Sequence, residues 1–317
     1  MISPRAKDMA KKAAHVAGTA IVLGSLVFIG IKIYNARNLL GQRHFGPGVF
    51  AALAEAAAGY ALACIFLAMG WTRLLDYTSG QKLSGPKSRR IYARTQIAKY
   101  APGNVFHFVS RHALGTREGW SQAAMVASAT YEIFFVVAAS SLVAFIGLAD
   151  FGVSARNITQ NLCLALCGLF LAAPFSLHIL SAKIPRLRAV VRPANSWREA
   201  MTGLFAPYLC YVFHGLVSGA MLMLVAGAFS PVHGSLASGA VITTFGLAWL
   251  AGFITPGAPA GMGARETVIV LALAPLYGNA DSLLIALAFR LVTLAGDVLF
   301  FLWSYTPVHR NKTPLAS

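Results

Sequence analysis

Charge is scarce in this sequence, and negative charge is the scarcest. Only 11% of the 317 residues are charged, with 10 aspartates and glutamates against 26 lysines and arginines. A soluble domain carries about 25% charged residues. This chain is instead 57% hydrophobic, with a mean hydropathy of +0.65. Too little polar surface remains to cover a water-exposed globule, so the composition predicts an integral membrane protein.

Motifs for metal binding, disulfide bonding and catalysis are also missing. Cys64, Cys163, Cys167 and Cys210 lie in apolar runs without a C-x-x-C pair or a histidine cluster, so no metal site or disulfide framework is expected. The sequence has no Walker loop and no nucleophile elbow. Its basic residues lie in short loops without a nucleic-acid recognition motif. We expect no cofactor, no enzyme active site and no nucleic-acid partner.

Long apolar runs are what the sequence does have. A membrane-spanning helix needs about 20 mainly apolar residues, and six runs meet that length: 14–33, 50–71, 121–148, 161–182, 201–229 and 282–305. Basic residues concentrate before the first run, in 73–99, in 183–199 and in the tail. Basic loops face the cytoplasm, so we expect both termini to be cytoplasmic.

Two further stretches are interrupted. Residues 92–117 are half-polar and split by Pro102-Gly103, whereas 236–276 are apolar but contain "TPGAPAGMGARE". The basic segments can share one face only if each interrupted stretch enters and leaves the bilayer on the same side. The predicted fold is an all-α polytopic membrane protein with about six transmembrane helices and two re-entrant helical hairpins.

The two interrupted stretches also suggest an inverted repeat. Pro102-Gly103 and Pro256-Gly257 lie 154 residues apart, and each is followed by Gly-x-Arg-Glu. With three crossings in each half, the second repeat (156–317) would be inverted relative to the first (1–155), as in many transporters. The alternative is that the Pro-Gly pairs merely mark loops and that the apolar runs recur by chance.

A polar cavity is expected where the two breaks lie. Non-helical backbone at membrane depth needs protein or a water-filled cavity around it, and the N–H groups at the start of a half-helix bind anions. In the first break, Gly103 lets the backbone approach closely and Asn104 can cap the following helix. Arg111 adds a guanidinium suited to phosphate.

Each Gly-x-Arg-Glu motif contributes a charged pair. Arg265 and Glu266 are interpreted as counterparts of Arg117 and Glu118, within a long apolar tract that indicates a nearby cavity. For Arg117 and Glu118, the alternative is an interfacial pair at the exit of a hairpin.

Other charges lie inside predicted spans, where they are costly and commonly functional. Glu132, Arg290 and Asp297 are candidates for gating or coupling, and Glu132 and Arg290 could pair across the repeat axis. A purely structural ion pair is the alternative. His107 could share a helix face with Arg111, although a hydrogen-bonded core histidine is the simpler interpretation.

"RTQIAKYAPGNVFHFVSRHALGTREGWS" and "ITPGAPAGMGARETV" resemble the lysylphosphatidylglycerol synthase transmembrane-region family, which includes the flippase half of multiple peptide resistance factor. The resemblance runs from about residue 15 to 305. The second motif departs by having "PGAPAGMGARE" where members usually show a Pro-Gly-Gly run. The resemblance implies a lipid flippase fold with a headgroup site at Pro102, Gly103, Asn104, Arg111, Arg117, Glu118, Pro256, Gly257, Arg265 and Glu266.

The resemblance also implies a function. We expect a flippase that moves an anionic or glycosylated lipid across a bacterial inner membrane: aminoacyl-phosphatidylglycerol, another phospholipid or a polyprenyl-phosphate sugar. The sequence carries no aminoacyltransferase domain, so we do not expect it to make the aminoacylated lipid. Expected partners are membrane lipids with anionic headgroups and a lipid-modifying enzyme or glycosyltransferase. The alternatives are an accessory subunit that presents a lipid carrier to a glycosyltransferase, and a membrane-embedded lipid transferase.

Overall fold

The computed structural model describes residues 31, 34, 45–83, 85–101, 105–146, 153–184, 197–230, 235–255 and 259–306. Within these ranges every regular element is helical. The α-helices are α1 (Pro47–Ser79), α2 (Gly85–Gln96), α3 (Phe106–Arg117), α4 (Gln122–Ile146), α5 (Val153–Lys183), α6 (Trp197–Phe229), α7 (Ser235–Ile254) and α8 (Ala264–Trp303). Two 3₁₀-helices, Ile97–Tyr100 and Pro259–Gly261, follow α2 and precede α8.

Five of these helices, α1, α4, α5, α6 and α8, contain stretches long and apolar enough to cross a membrane. The protein is therefore a helical, membrane-embedded protein, and five of the six predicted spans are confirmed as apolar helices. The predicted span 14–33 falls almost entirely outside the described residues. α1 continues past its apolar run until Gly80, whose φ of 73° gives the left-handed C-cap that glycine adopts readily.

Both interrupted stretches form two helical pieces separated by a break. α2 and its 3₁₀-helix precede α3, and α7 precedes the 3₁₀-helix and the first part of α8. The two 3₁₀-helices contact each other, so the breaks meet inside the bundle. α8 is itself interrupted at Gly278, where φ is 75° and ψ is 164°. Its second part occupies the predicted last span.

The boundaries of several helices follow the predicted 154-residue spacing. Shifting α1 by that spacing superimposes it largely on α6, and shifting α2 places it inside α7. The second part of α8 corresponds in the same way to α4. The predicted boundary after residue 155 falls in the first turn of α5. The inverted relation between the halves stays a prediction.

Close helix packing depends on small residues at a few contacts. A Cβ atom built on Gly246 of α7 would lie 2.6 Å from the backbone nitrogen of Ala144 and 2.7 Å from the carbonyl oxygen of Ser140. Nearby, the Thr243 hydroxyl donates to the carbonyl of Ala144 at 2.9 Å. The backbones of α4 and α7 can touch here only because Gly246 has no side chain.

We therefore expect Gly246→Ala to lower the free energy of unfolding by about 1–3 kcal/mol, the usual cost of overpacking. The measurement is denaturation in mixed micelles followed by tryptophan fluorescence. Gly168→Ala in α5 is the matched control, because a Cβ atom there meets nothing within 4 Å. Equal stability of the two variants would contradict the assigned contact.

Candidate functional site

A cavity of about 80 Å³ lies where the two breaks meet. Seven of the eight described α-helices contribute to its wall, and only α5 does not. The polar and charged side chains that line it are Tyr60, Tyr92, Gln96, Lys99, His107, Glu132, His214 and Arg265. We call this space the central cavity. The predicted polar cavity is therefore present among the described residues.

Arg265 enters the central cavity from the first turn of α8. Its side chain passes between Gly252 of α7 and the turn at Gly261, because a Cβ atom on either glycine would approach Arg265 Nε within 2.5 Å and 2.8 Å. The guanidinium carbon lies 5.7 Å from the ring centroid of Trp249. Nε is buried and has no hydrogen-bond partner among the described residues. A cation with free donors thus faces the cavity.

The turn before α8 is held by two charged side chains. Ala260 takes a left-handed conformation with φ 48°, and its carbonyl accepts a hydrogen bond from Arg290 Nη1 at 3.2 Å. Glu266 accepts from the N–H of Gly263 at 2.6 Å and lies 3.6 Å from Arg290 Nε. Glu266 thus caps α8, and Arg290 ties the turn to the second part of that helix.

Asp297 anchors the other break. Its carboxylate lies 2.7 Å from Lys99 Nζ and accepts a hydrogen bond from the Tyr100 hydroxyl at 2.6 Å. The Asp297 side chain is fully buried. Because Lys99 and Tyr100 form the end of the first 3₁₀-helix, Asp297 fixes the first break against α8. Arg290 lies 5.5 Å from the centre of the Tyr100 ring, so the two anchors adjoin.

Glu132 does not pair with Arg290, and that prediction is wrong. Glu132 instead contacts Arg111 Nη1 at 2.5 Å and accepts from the Tyr92 hydroxyl at 2.7 Å. Arg290 is held by Glu266 and Ala260 on the far side of the cavity. The pairing fails because each charge finds a nearer partner within its own half of the chain.

Arg117 and Glu118 lie away from the central cavity. Both are exposed at the end of α3, and Glu118 pairs with Lys87 of α2. The spacing of 154 residues aligns Arg265 with Arg111, which is 1% exposed, rather than with Arg117. The counterpart assigned from the Gly-x-Arg-Glu motifs therefore differs from the one indicated by the helices. Pro102, Gly103, Asn104, Pro256 and Gly257 lie outside the described residues.

Several residues of the site were missed at the sequence level. Lys99 was counted only as a loop cation, although it directly precedes the first break. Tyr60, Tyr92 and His214 gave no signal because aromatic residues are common in membrane helices. His107 lies on the cavity wall, and its Nδ1 has no hydrogen-bond partner among the described residues. It is not the hydrogen-bonded core histidine that we expected.

The charges around the two breaks do not cancel. Lys99, Arg265 and Arg290 stand against Asp297 and Glu266, which leaves one positive charge in excess. With Lys99 and Arg290 held by carboxylates, Arg265 is the cation with donors to spare. The arrangement suits a monoanion such as a phosphodiester. A volume of about 80 Å³ is below the roughly 300 Å³ of an ordinary ligand pocket, so a headgroup would have to expand it.

Comparison with known proteins gives no family assignment. A scan against models of protein families found no match to the chain, and a search of curated proteins found none either. The resemblance to the lysylphosphatidylglycerol synthase transmembrane region therefore stays a sequence-based prediction.

Proposed function

We propose that the protein is a flippase or transporter that moves an anionic or glycosylated lipid across a membrane. The observation that carries this proposal is Arg265, a buried cation with unbonded donors, in a cavity where two broken helical segments meet. A buried, incompletely paired charge is costly. Its cost is offset if a negatively charged headgroup passes there.

Contacts at the two ends of the bundle support a re-entrant arrangement. At one end, the Thr78 hydroxyl in the last turn of α1 donates to the carbonyl of Ala124 in α4 at 3.0 Å. The first interrupted stretch therefore begins and ends at that end of the bundle. Phe45, before α1, packs on Phe229 at the end of α6, with ring centroids 5.7 Å apart, so the second stretch begins at the opposite end.

The charge distribution supports an orientation. Arg94 of the basic helix α2 lies 4.7 Å from the ring centroid of Tyr305, and Arg90 donates to the carbonyl of Thr306. The basic segment after α1 and the C-terminal end of α8 thus share one end of the bundle. By the positive-inside rule, we assign that end to the cytoplasm of a bacterial cell and the protein to the inner membrane.

Transport would use two related packings of the hairpins. A small central cavity in this structure is consistent with a closed arrangement in which neither face admits a headgroup. A lipid phosphate that binds one open arrangement better than the other shifts their populations. The polar headgroup would cross through the central cavity, while its apolar chains stay in the bilayer. The resemblance noted in the sequence favours the same function.

The test is lipid translocation by the purified protein in vesicles that contain no other protein. Fluorescent phosphatidylglycerol is placed in both leaflets, and dithionite added outside bleaches the accessible half. We expect bleaching beyond about half of the signal, with empty vesicles as the control. Assays with phosphatidylethanolamine and a polyprenyl-phosphate sugar then define the headgroup. An absence of translocation for every lipid, with a stable complex to a glycosyltransferase, would instead support the accessory subunit.

A further inference from the structure

A second cavity opens on the side of the bundle between α3 and α4. Its volume is about 540 Å³, within the range of roughly 300–1,000 Å³ that ligand pockets occupy. Its rim carries the apolar side chains of Val105, Val109 and Val126, which are 51%, 57% and 51% exposed. We call this cavity the lateral groove. An apolar, half-exposed rim on a membrane-embedded protein suits a mouth that opens to lipid.

One cation lies at the inner wall of the lateral groove. Arg111 lines it and is only 1% exposed. Its Nη1 is bonded to Glu132, but Nε and Nη2 are buried without a partner among the described residues. The guanidinium carbon also lies 3.8 Å from the ring centroid of Tyr92 and 4.9 Å from that of Trp71. The aromatic rings fix the orientation of the guanidinium, and its two free donor atoms stay buried.

The lateral groove and the central cavity share a wall. Phe108 and Ile133 line both spaces. Arg111 lines the lateral groove, whereas its partner Glu132 lines the central cavity. The Arg111–Glu132 ion pair and these two apolar side chains together separate the spaces. An anion that draws Arg111 away from Glu132 would weaken this partition.

We propose that the lateral groove binds one phosphate-bearing lipid from the surrounding bilayer, with its phosphate at Arg111 and an apolar chain against the valine rim. The bound lipid would be the form from which a headgroup passes the partition into the central cavity. That second statement rests on the proposed transport function, whereas binding in the groove does not.

The chemistry of the groove favours a lipid over a soluble anion or a peptide. The wall is mainly apolar, with Arg111 its one charged side chain among the described residues. A soluble phosphate would gain nothing from the apolar rim, and a neutral diacylglycerol would leave the donors of Arg111 unpaired. Only an amphiphile satisfies both parts. A charge-assisted hydrogen bond of this kind changes affinity on the order of tenfold.

The experiment places a photo-crosslinking amino acid at Val126 in the full chain, with the same amino acid at Leu169 as the control. Leu169 is 65% exposed on α5 and reports contact with bulk lipid. Proteoliposomes contain radiolabelled phosphatidylglycerol or radiolabelled diacylglycerol with the same acyl chains. We expect labelling at Val126 to favour phosphatidylglycerol about tenfold and labelling at Leu169 to show no preference. Equal labelling of both lipids at Val126 would overturn the proposal.

Two sets of variants separate the phosphate from the chain. In Arg111→Met with Glu132→Gln, which removes both charges together, the preference for phosphatidylglycerol should disappear. Ala129→Phe fills the lateral groove, and all lipid labelling at Val126 should fall. The same substitution at Ala172, exposed on α5, should leave labelling unchanged. A retained preference in the charge-free variant would contradict the assignment of Arg111.

Labelling and translocation are independent readouts. Specific labelling without translocation would support the groove and contradict the proposed transport, whereas translocation without specific labelling would do the reverse.

Discussion

Arg265→Ala should lower lipid translocation by about 100-fold or more, while membrane insertion and helix content stay unchanged. The variant removes two or more charge-assisted hydrogen bonds to a passing headgroup, each worth about 1.5–3 kcal/mol, and each 1.36 kcal/mol changes a rate tenfold. Folding should survive because Arg265 has no carboxylate at ion-pair distance among the described residues. The dithionite assay on purified protein gives the rate.

Two further variants sharpen this prediction. Arg117→Ala is the matched control, since Arg117 is exposed and lies away from the central cavity; translocation should stay within about twofold of the original. Gly252→Ala keeps the charge of Arg265 but pushes its side chain, because the new Cβ atom would lie 2.5 Å from Arg265 Nε. It should therefore slow translocation. If Arg117→Ala were the slower variant, the motif-based assignment would be right and ours wrong.

Asp297→Ala should be the most destabilising single substitution at the site, by about 3–5 kcal/mol, because it leaves the Lys99 ammonium without its carboxylate. The Lys99 side chain is 13% exposed and that of Asp297 is fully buried, so water compensates little. Tyr100 also loses its acceptor. Equilibrium unfolding in mixed micelles measures the change.

The neutral double variant separates charge from packing. Lys99→Met combined with Asp297→Leu replaces the ion pair by apolar side chains, and such replacements are often close to neutral. Most of the lost stability should return, with a coupling energy that the double-mutant cycle measures. A double variant as unstable as Asp297→Ala would mean that the loss comes from packing and not from the buried charge.

The sequence predicted the helices better than it predicted their contacts. Apolar run length located α1, α4, α5 and α6 because a spanning helix must be long and apolar. The ends were less accurate: α1 runs on to Gly80, since a left-handed glycine and not the last apolar residue ends the helix. The kink at Gly278 was missed, although Pro275 stands three residues before it.

The candidate site was only partly predictable. Arg265 and Glu266 stood out because charge is rare in their apolar tract, and Asp297 stood out for the same reason. Which charges pair could not be derived, because Lys99 and Asp297 are separated by 198 residues and meet only through packing of the breaks. Arg111 was found, but its place at the wall of a lateral groove depends on α3 and α4 leaving space between them.

The sidedness of the two hairpins tests the central claim most directly. Single cysteines are placed at Glu118, just after α3, and at Asn279, just after the kink in α8; both positions are exposed, and the four native cysteines are replaced by serine or alanine. A membrane-impermeant thiol reagent is then applied to sealed vesicles of known orientation. We expect Glu118→Cys to react only from the cytoplasmic side and Asn279→Cys only from the opposite side. Reaction of both from one side would contradict the inverted arrangement and the headgroup path through it.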